Sequence, residues 1–305
     1  MSSDAGQNWS FVAINTDVRW YALPSVNALY VGNLSTLLKS TDGGQTWADI
    51  TPNVPDVQWR GVSFVSDTRG WTLTSTGDVY RTTDGGASWA LVNTGTMTQE
   101  GTITFTDANT GYATSFRDLY KTTDGGTTWT LIKANAFGSY QNQLLVLDEQ
   151  HLVSTQGGLV IYASQDGGAN WSSVSPLPYG YNHNYMTALP DGRVWVACDF
   201  GSIAFSNDFS SSFTDQLPGF KYYLNSIDFS NNLTGWCAGQ SGAIVRTQDG
   251  GNTWNEITNL PLNELMESQY LLGVKTYSYE EAVLASDRVI NYTDDGGQTW
   301  RHDYH

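Results

Sequence analysis

Thr122-Thr-Asp-Gly-Gly-Thr-Thr-Trp129 is written into this chain many times over. Ser40–Trp47, Thr82–Trp89, Ser164–Trp171, Thr247–Trp254 and Thr293–Trp300 share its form, Ser/Thr-x-Asp-x-Gly-x-(Thr/Ser/Asn)-Trp. Ser2–Trp9 also fits, and Ser206–Phe213 is a worn copy. The aspartates fall at Asp4, Asp42, Asp84, Asp124, Asp166, Asp208, Asp249 and Asp295, between 38 and 46 residues apart. Self-similarity at about 40–45 residues is the signature of a propeller blade.

The interval before each box has a common grammar. Trp59-Arg-Gly-Val-Ser-Phe-Val65 alternates apolar and polar residues, as a half-buried strand does. Ser66–Gly70 turns the chain into a second strand, Trp71–Thr74, and Ser75–Asp78 turns it into a third, Val79–Thr82. The Asp84-Gly-Gly hairpin then leads to a fourth strand at Trp89–Val92. The same order reads at Gly101–Phe105, Gly111–Thr114, Asp118–Lys121 and Trp129–Ile132, and again from Leu224 to Ile257. Eight boxes enclose seven such intervals. The expectation is an all-β, seven-bladed propeller of four-stranded antiparallel blades, occupying 1–305 as a single domain. The spare strand Asn8–Ile14 is expected to join the last blade near Trp300–Tyr304, so that the terminal strands close the ring and remove its free edges. An insertion at Leu260–Gln269 interrupts the last unit, with a helical turn expected over Asn263–Ser268.

Within the box, the aspartate is suited to accept hydrogen bonds from the turn's backbone amides. The second glycine is expected to take the positive φ, and the tryptophan to bury its ring between blades. A device present in every blade is a folding device, which assigns Asp42, Asp84, Asp124, Asp166, Asp249 and Asp295 structural roles. Trp47, Trp89, Trp129, Trp171, Trp254 and Trp300 share that assignment. No box supplies the ligand spacing of a calcium loop. Lys39, Arg81, Lys121 and Arg246 recur at one phase before the boxes and read as architectural too.

Composition narrows the function. Fourteen Lys+Arg stand against 30 Asp+Glu, a formal charge of −16. Nucleic-acid binding requires clustered cations, and an anionic membrane surface repels such a chain. No apolar run is long enough to span a bilayer, so no membrane insertion is expected. The abundance of Ser, Thr, Asn and Gly suits an extracellular, cell-surface or periplasmic protein whose export signal is not part of this sequence. Cys198 and Cys237 occupy equivalent strands of neighbouring units; buried free thiols are the expectation, a disulfide between units the alternative.

The repeats resemble Asp-boxes, or bacterial neuraminidase repeats. These are shared by sialidases, xyloglucan-cleaving glycosidases, sortilin-type receptors and photosystem II assembly/stability factors. The fuller pattern at Val62–Trp89 and Ile227–Trp254 is most similar to that of the photosystem II assembly/stability factors. The resemblance covers essentially the whole chain. It implies a seven-bladed, non-enzymatic scaffold that binds another protein. Those factors present an arginine-rich patch, whereas the nine arginines here are scattered through the repeats.

In a propeller, the loops entering the first strand and those joining second to third strands share the face opposite the boxes. Residues of that kind are Trp20, Tyr21, Trp59, Arg60, Tyr140, Tyr181, His183, Tyr185, Tyr222, Tyr223 and Tyr270. Tyr, Trp and Arg anchor protein partners, and aromatic rings pack on sugars, so a protein or glycan ligand is expected on this face. The alternative is a glycoside hydrolase acting on a polysaccharide. It needs two carboxylates about 5–5.5 Å or about 6.5–9.5 Å apart. Glu100, Asp118, Asp199 and Asp287 are the candidates, with no pair singled out. The Arg-Ile-Pro motif of sialidases is absent. His183 has no second ligand at metal spacing. The expectation is a non-catalytic binding module without cofactor or metal, acting as a monomer or as part of a larger assembly.

Overall fold

The computed structural model describes residues 20–22, 24–25, 28–42, 46–97, 101–136, 141–156, 160–174, 183–189, 191–209, 212–217, 220–258, 271–286 and 289–304. Every regular element among the described residues is a strand, apart from one short 3-10 turn at Asp199–Gly201. No described helix is long and apolar enough to cross a membrane.

The chain divides into two compact units, Met1–Gly138 and Ser139–His305. Three four-stranded antiparallel sheets lie in the first. Strands β1–β4 are Trp20–Ala22, Leu29–Gly32, Leu37–Ser40 and Ala48–Asp49. Strands β5–β8 are Trp59–Phe64, Gly70–Thr74, Val79–Thr82 and Ala90–Asn93. Strands β9–β12 are Ile103–Phe105, Gly111–Ser115, Asp118–Thr122 and Thr130–Lys133.

The second unit holds four more sheets among the described residues. Strands β13–β16 are Gln141–Val146, Leu152–Gln156, Val160–Ser164 and Ser172–Ser173. Strands β17–β20 are His183–Ala188, Val194–Cys198, Ile203–Ser206 and Thr214–Asp215. Strands β21–β24 are Leu224–Phe229, Gly235–Gly239, Ile244–Thr247 and Asn255–Glu256. Strands β25–β28 are Leu271–Thr276, Ala282–Ser286, Val289–Thr293 and Arg301–Tyr304.

Each sheet is a consecutive meander, as the repeat grammar requires. Fourth strands begin one residue after the box tryptophan rather than at it. Four of them (β4, β16, β20, β24) are only two residues long. The strand expected at Asn8–Ile14 and the helical turn expected at Asn263–Ser268 lie outside the described residues.

Second strands run through the middle of the packing: all five residues of β6, β10, β18 and β22 are buried. Aromatic residues of second strands join neighbouring sheets by stacking at three places among the described residues. Tyr30 stacks on Phe64 at 3.5 Å, Trp71 on Phe105 at 3.6 Å and Trp195 on Phe229 at 3.9 Å. Each of those phenylalanines meets the box tryptophan of its own sheet edge-on, at 5.9–6.2 Å (Phe64–Trp89, Phe105–Trp129, Phe229–Trp254). The edge-on pairs are an arrangement the ring quadrupole favours, worth about 0.5–1.5 kcal/mol each beyond area burial, whereas the stacked pairs contribute chiefly by burying ring surface.

First strands are stitched to their neighbours by side chains acting as backbone partners. Ser63 Oγ accepts from Phe105 N at 2.9 Å. Gln143 exchanges two bonds with the Met186 backbone, at 2.7 and 3.1 Å. Asp228 Oδ2 accepts from Thr276 N at 2.7 Å and pairs with Lys275. Two of the recurring cations tie neighbouring sheets, and the other two pack on rings of their own sheet. Arg81 donates to Gly125 O while Arg246 donates to Tyr279 O and pairs with Glu280. Lys39 and Lys121 lie over the rings of Tyr30 and Tyr112. Cys198 and Cys237 are both buried free thiols. Burial pushes Cys198 up to about 12 and Cys237 well above its ordinary value, which keeps both protonated and unreactive.

Candidate binding end of the sheets

In a meander, the turns joining strand one to two and strand three to four lie at one end of the sheet. The turn joining strand two to three lies at the other, with the approach to strand one. The boxes occupy the first of these ends. In the six intact boxes among the described residues the Ser/Thr hydroxyl donates to the aspartate Oδ1 at 2.7–3.0 Å. The residue four places after the aspartate donates its N–H to the same carboxylate at 2.8–2.9 Å. Its side chain donates to Oδ2 at 2.5–2.7 Å. The Ser/Thr oxygen also accepts from the second glycine's N–H in five boxes.

Both glycines of the box, not the second alone, adopt positive φ: Gly85 and Gly86 stand at 71° and 90°, Gly250 and Gly251 at 72° and 87°. Two successive left-handed residues are needed to reverse the chain while the aspartate reaches across it, and glycine adopts them without steric cost. The worn copy lacks both glycines. There Phe209 and Phe213 instead bury their rings in the core.

The opposite end is shaped by a recurrent β-bulge. Pairing between strands one and two shifts register at Trp59/Gly61, Gln141/Gln143, His183/Tyr185, Leu224/Ser226 and Leu271/Gly273. The residues left over are Arg60, Asn142, Asn184, Asn225 and Leu272. Asn225 shows what such a residue can do: its Nδ2 donates to Leu271 O at 2.9 Å, reaching the next sheet. Bulges re-aim side chains and are over-represented beside functional sites.

The expected ligand contacts fare unequally. Trp59 is 1% exposed and meets Tyr80 edge-on, so it belongs to the core and offers a ligand no surface. Tyr185 packs half-buried beside Trp195 and Leu224. Trp20 is half-buried in β1, whereas Tyr21 is 57% exposed. His183 opens β17 opposite Cys198. Tyr222 is 42% exposed and Tyr223 half-buried. Tyr140, Tyr181 and Tyr270 lie outside the described residues, as do Glu100 and Asp287.

Of the candidate acids, Asp118 accepts from Asn135 N at 2.8 Å, as Asp78 does from Gly95 N at 2.9 Å. Both fasten the exit of strand four to the start of strand three, a turn device repeated in successive sheets. Asp199 is buried beside its own turn. Among the described residues no three His, Cys, Asp or Glu side chains gather as metal ligands.

The sequence reading missed Phe200. It sits in the turn between β18 and β19, is 53% exposed, and adopts φ 56°, with Gly201 following at 74°. Ser241-Gly242 form the matching turn of the next sheet, at 56° and 71°. Left-handed backbone costs a residue with a Cβ roughly 1–2 kcal/mol. The Phe200 ring rests on Tyr223, centroids 5.1 Å apart, and Phe220 meets Tyr222 edge-on at 5.6 Å. A phenylalanine directly before glycine, at a position its neighbour fills with serine, was the signal available.

The family model described as photosynthesis system II assembly factor YCF48 matches residues 1–218 and 214–303. The chain belongs to the YCF48 family. A photosystem II assembly protein Ycf48 of Thermosynechococcus vestitus is 38% identical over 82 residues, covering 24% of this chain and 22% of the relative. A Synechococcus counterpart is 33% identical over a stretch of the same length, 24% of each chain. These matches therefore span about a quarter of the relatives' length. A solved structure of YCF48 bound to D1 peptide superposes with TM-score 0.71 at 21% identity, covering 88% of this chain and 90% of that one. YCF48 from Cyanidioschyzon merolae gives 0.65 at 16%, covering 94% of each chain. At these identities the superpositions establish the propeller fold.

Proposed function

We propose that this YCF48-family chain is a non-catalytic scaffold that holds a protein partner at the sheet ends opposite the Asp-boxes. Its sheets act as seven blades of one closed ring, a single domain working outside the cytoplasm. Family membership carries the reading, because the matched model describes an assembly factor and the superposed relative was solved with a peptide of D1. The local geometry supports it. Box carboxylates are consumed by their own turns, and Asp118 is consumed by Asn135. The bulges between strands one and two lie instead at the other end, with exposed Tyr21, Phe200 and Tyr222, while Tyr277 is exposed at the box end.

The reading is tested by titrating the protein with a D1 peptide and repeating the titration with Tyr21→Ala and Tyr223→Ala. Saturable binding is expected, weakened at least fivefold in one or both variants with melting temperatures unchanged. Absence of binding removes the D1 assignment. Full binding in both variants removes this end of the sheets as the site.

A further inference from the structure

We propose that Phe200 is a partner anchor and that the segment it receives is positively charged. The inference rests on reading the sheet ends opposite the boxes as the binding end, and adds the anchor residue and the partner's chemistry.

Two costs are borne at one position. Phe200 holds left-handed backbone where Asn or Gly before Gly201 is the favoured chemistry, and it exposes more than half of its surface. Strain concentrated at an exposed aromatic residue is what a binding site retains and a purely structural turn discards. The ring is also held in place: Tyr223 lies under it, and the Phe220 backbone closes against Gly201. Tyr222 stands exposed on the same approach to β21. Together they make a fixed aromatic platform of the kind that receives a side chain from a partner.

Charge selects among partners. The chain carries −16 overall, and several of its few cations are already engaged internally. Arg81, Arg246 and Lys275 are tied to neighbouring sheets, while Arg193 is paired with Asp191. The field at long range is therefore negative and steers cationic segments inward. Exposed aromatic faces then receive Lys or Arg through cation–π contact. An extended segment rich in Arg or Lys satisfies both observations.

The test uses the full chain and three sets of labelled peptides matched in aromatic content: Arg/Lys-rich, Asp/Glu-rich and uncharged. Tight, salt-sensitive binding of the Arg/Lys set is expected, weakened about tenfold in Phe200→Asn. That variant should melt at the same or a higher temperature, because Asn accepts the left-handed backbone. Equal binding of the three sets, or binding of a neutral polysaccharide in their place, overturns the proposal. So does undiminished binding by Phe200→Asn. Hydrogen exchange with the bound Arg/Lys set separates the two readings. Protection at 199–201 and 221–223 supports both. Protection confined to the box turns sinks both, and protection elsewhere at the binding end sinks only the role of Phe200.

Discussion

Trp59 heads β5 with its ring enclosed and edge-on to Tyr80, so its removal leaves a hole the size of an indole. Truncation of a buried tryptophan typically costs 3–5 kcal/mol. Trp59→Ala should therefore lower stability by about that amount in a urea titration. A change below about 1 kcal/mol would place the ring outside the core. The alternation Trp-Arg-Gly-Val-Ser-Phe announces a half-buried strand but is silent on a bulge. The register shift at Trp59/Gly61 moves the strand's first residue relative to its face, and no side-chain pattern marks it. Phe200 was hidden for a related reason: a positive φ at phenylalanine occurs in two of these turns, at Phe116 and Phe200, and only Phe200 is also largely exposed, so no repeat announces it. Residues that copy one another were legible. Those that depart from the copy were not.

At the scale of the element, the box was legible down to its donors and acceptors, because its requirements are local and stated seven or eight times over. It also makes the turns acid-sensitive. Hydrogen bonds, first from the Ser88 hydroxyl and then from its amide, hold Asp84 down from 3.8 to about 2. Asp166 is lowered chiefly by the Asn170 amide and side chain. For Asp124, Asp249 and Asp295 desolvation is the largest single influence and pushes upward. The combined hydrogen bonds outweigh it, and all three end below the ordinary value. A carboxylate lowered by folding stabilises the fold fully above its unfolded pKa, and that stability is lost as pH falls through the folded pKa. The melting temperature should therefore hold steady above the ordinary carboxylate range and fall as pH drops from 3.8 towards 2. Thermal melts across that interval check it. A flat profile would mean that the boxes contribute no more than unfolded chain does.

For the chain as a whole, 30 acids against 14 cations mean self-repulsion at neutral pH. Screening shortens its reach to about 8 Å at physiological ionic strength. Adding sodium chloride from very low ionic strength should therefore raise the melting temperature. A fall would show that the pairs formed by Arg246 and Lys275 outweigh the surplus of negative charge. Among the described residues, each sheet is also made from one consecutive run of chain. Pairing is thus settled between near neighbours in sequence, where loop closure costs least. A ribosome releasing this polypeptide delivers finished sheets one at a time. Phe64, Phe105 and Phe229 each arrive after the aromatic ring that comes to rest on them, so at these three junctions synthesis and folding can advance in step from the N-terminal side.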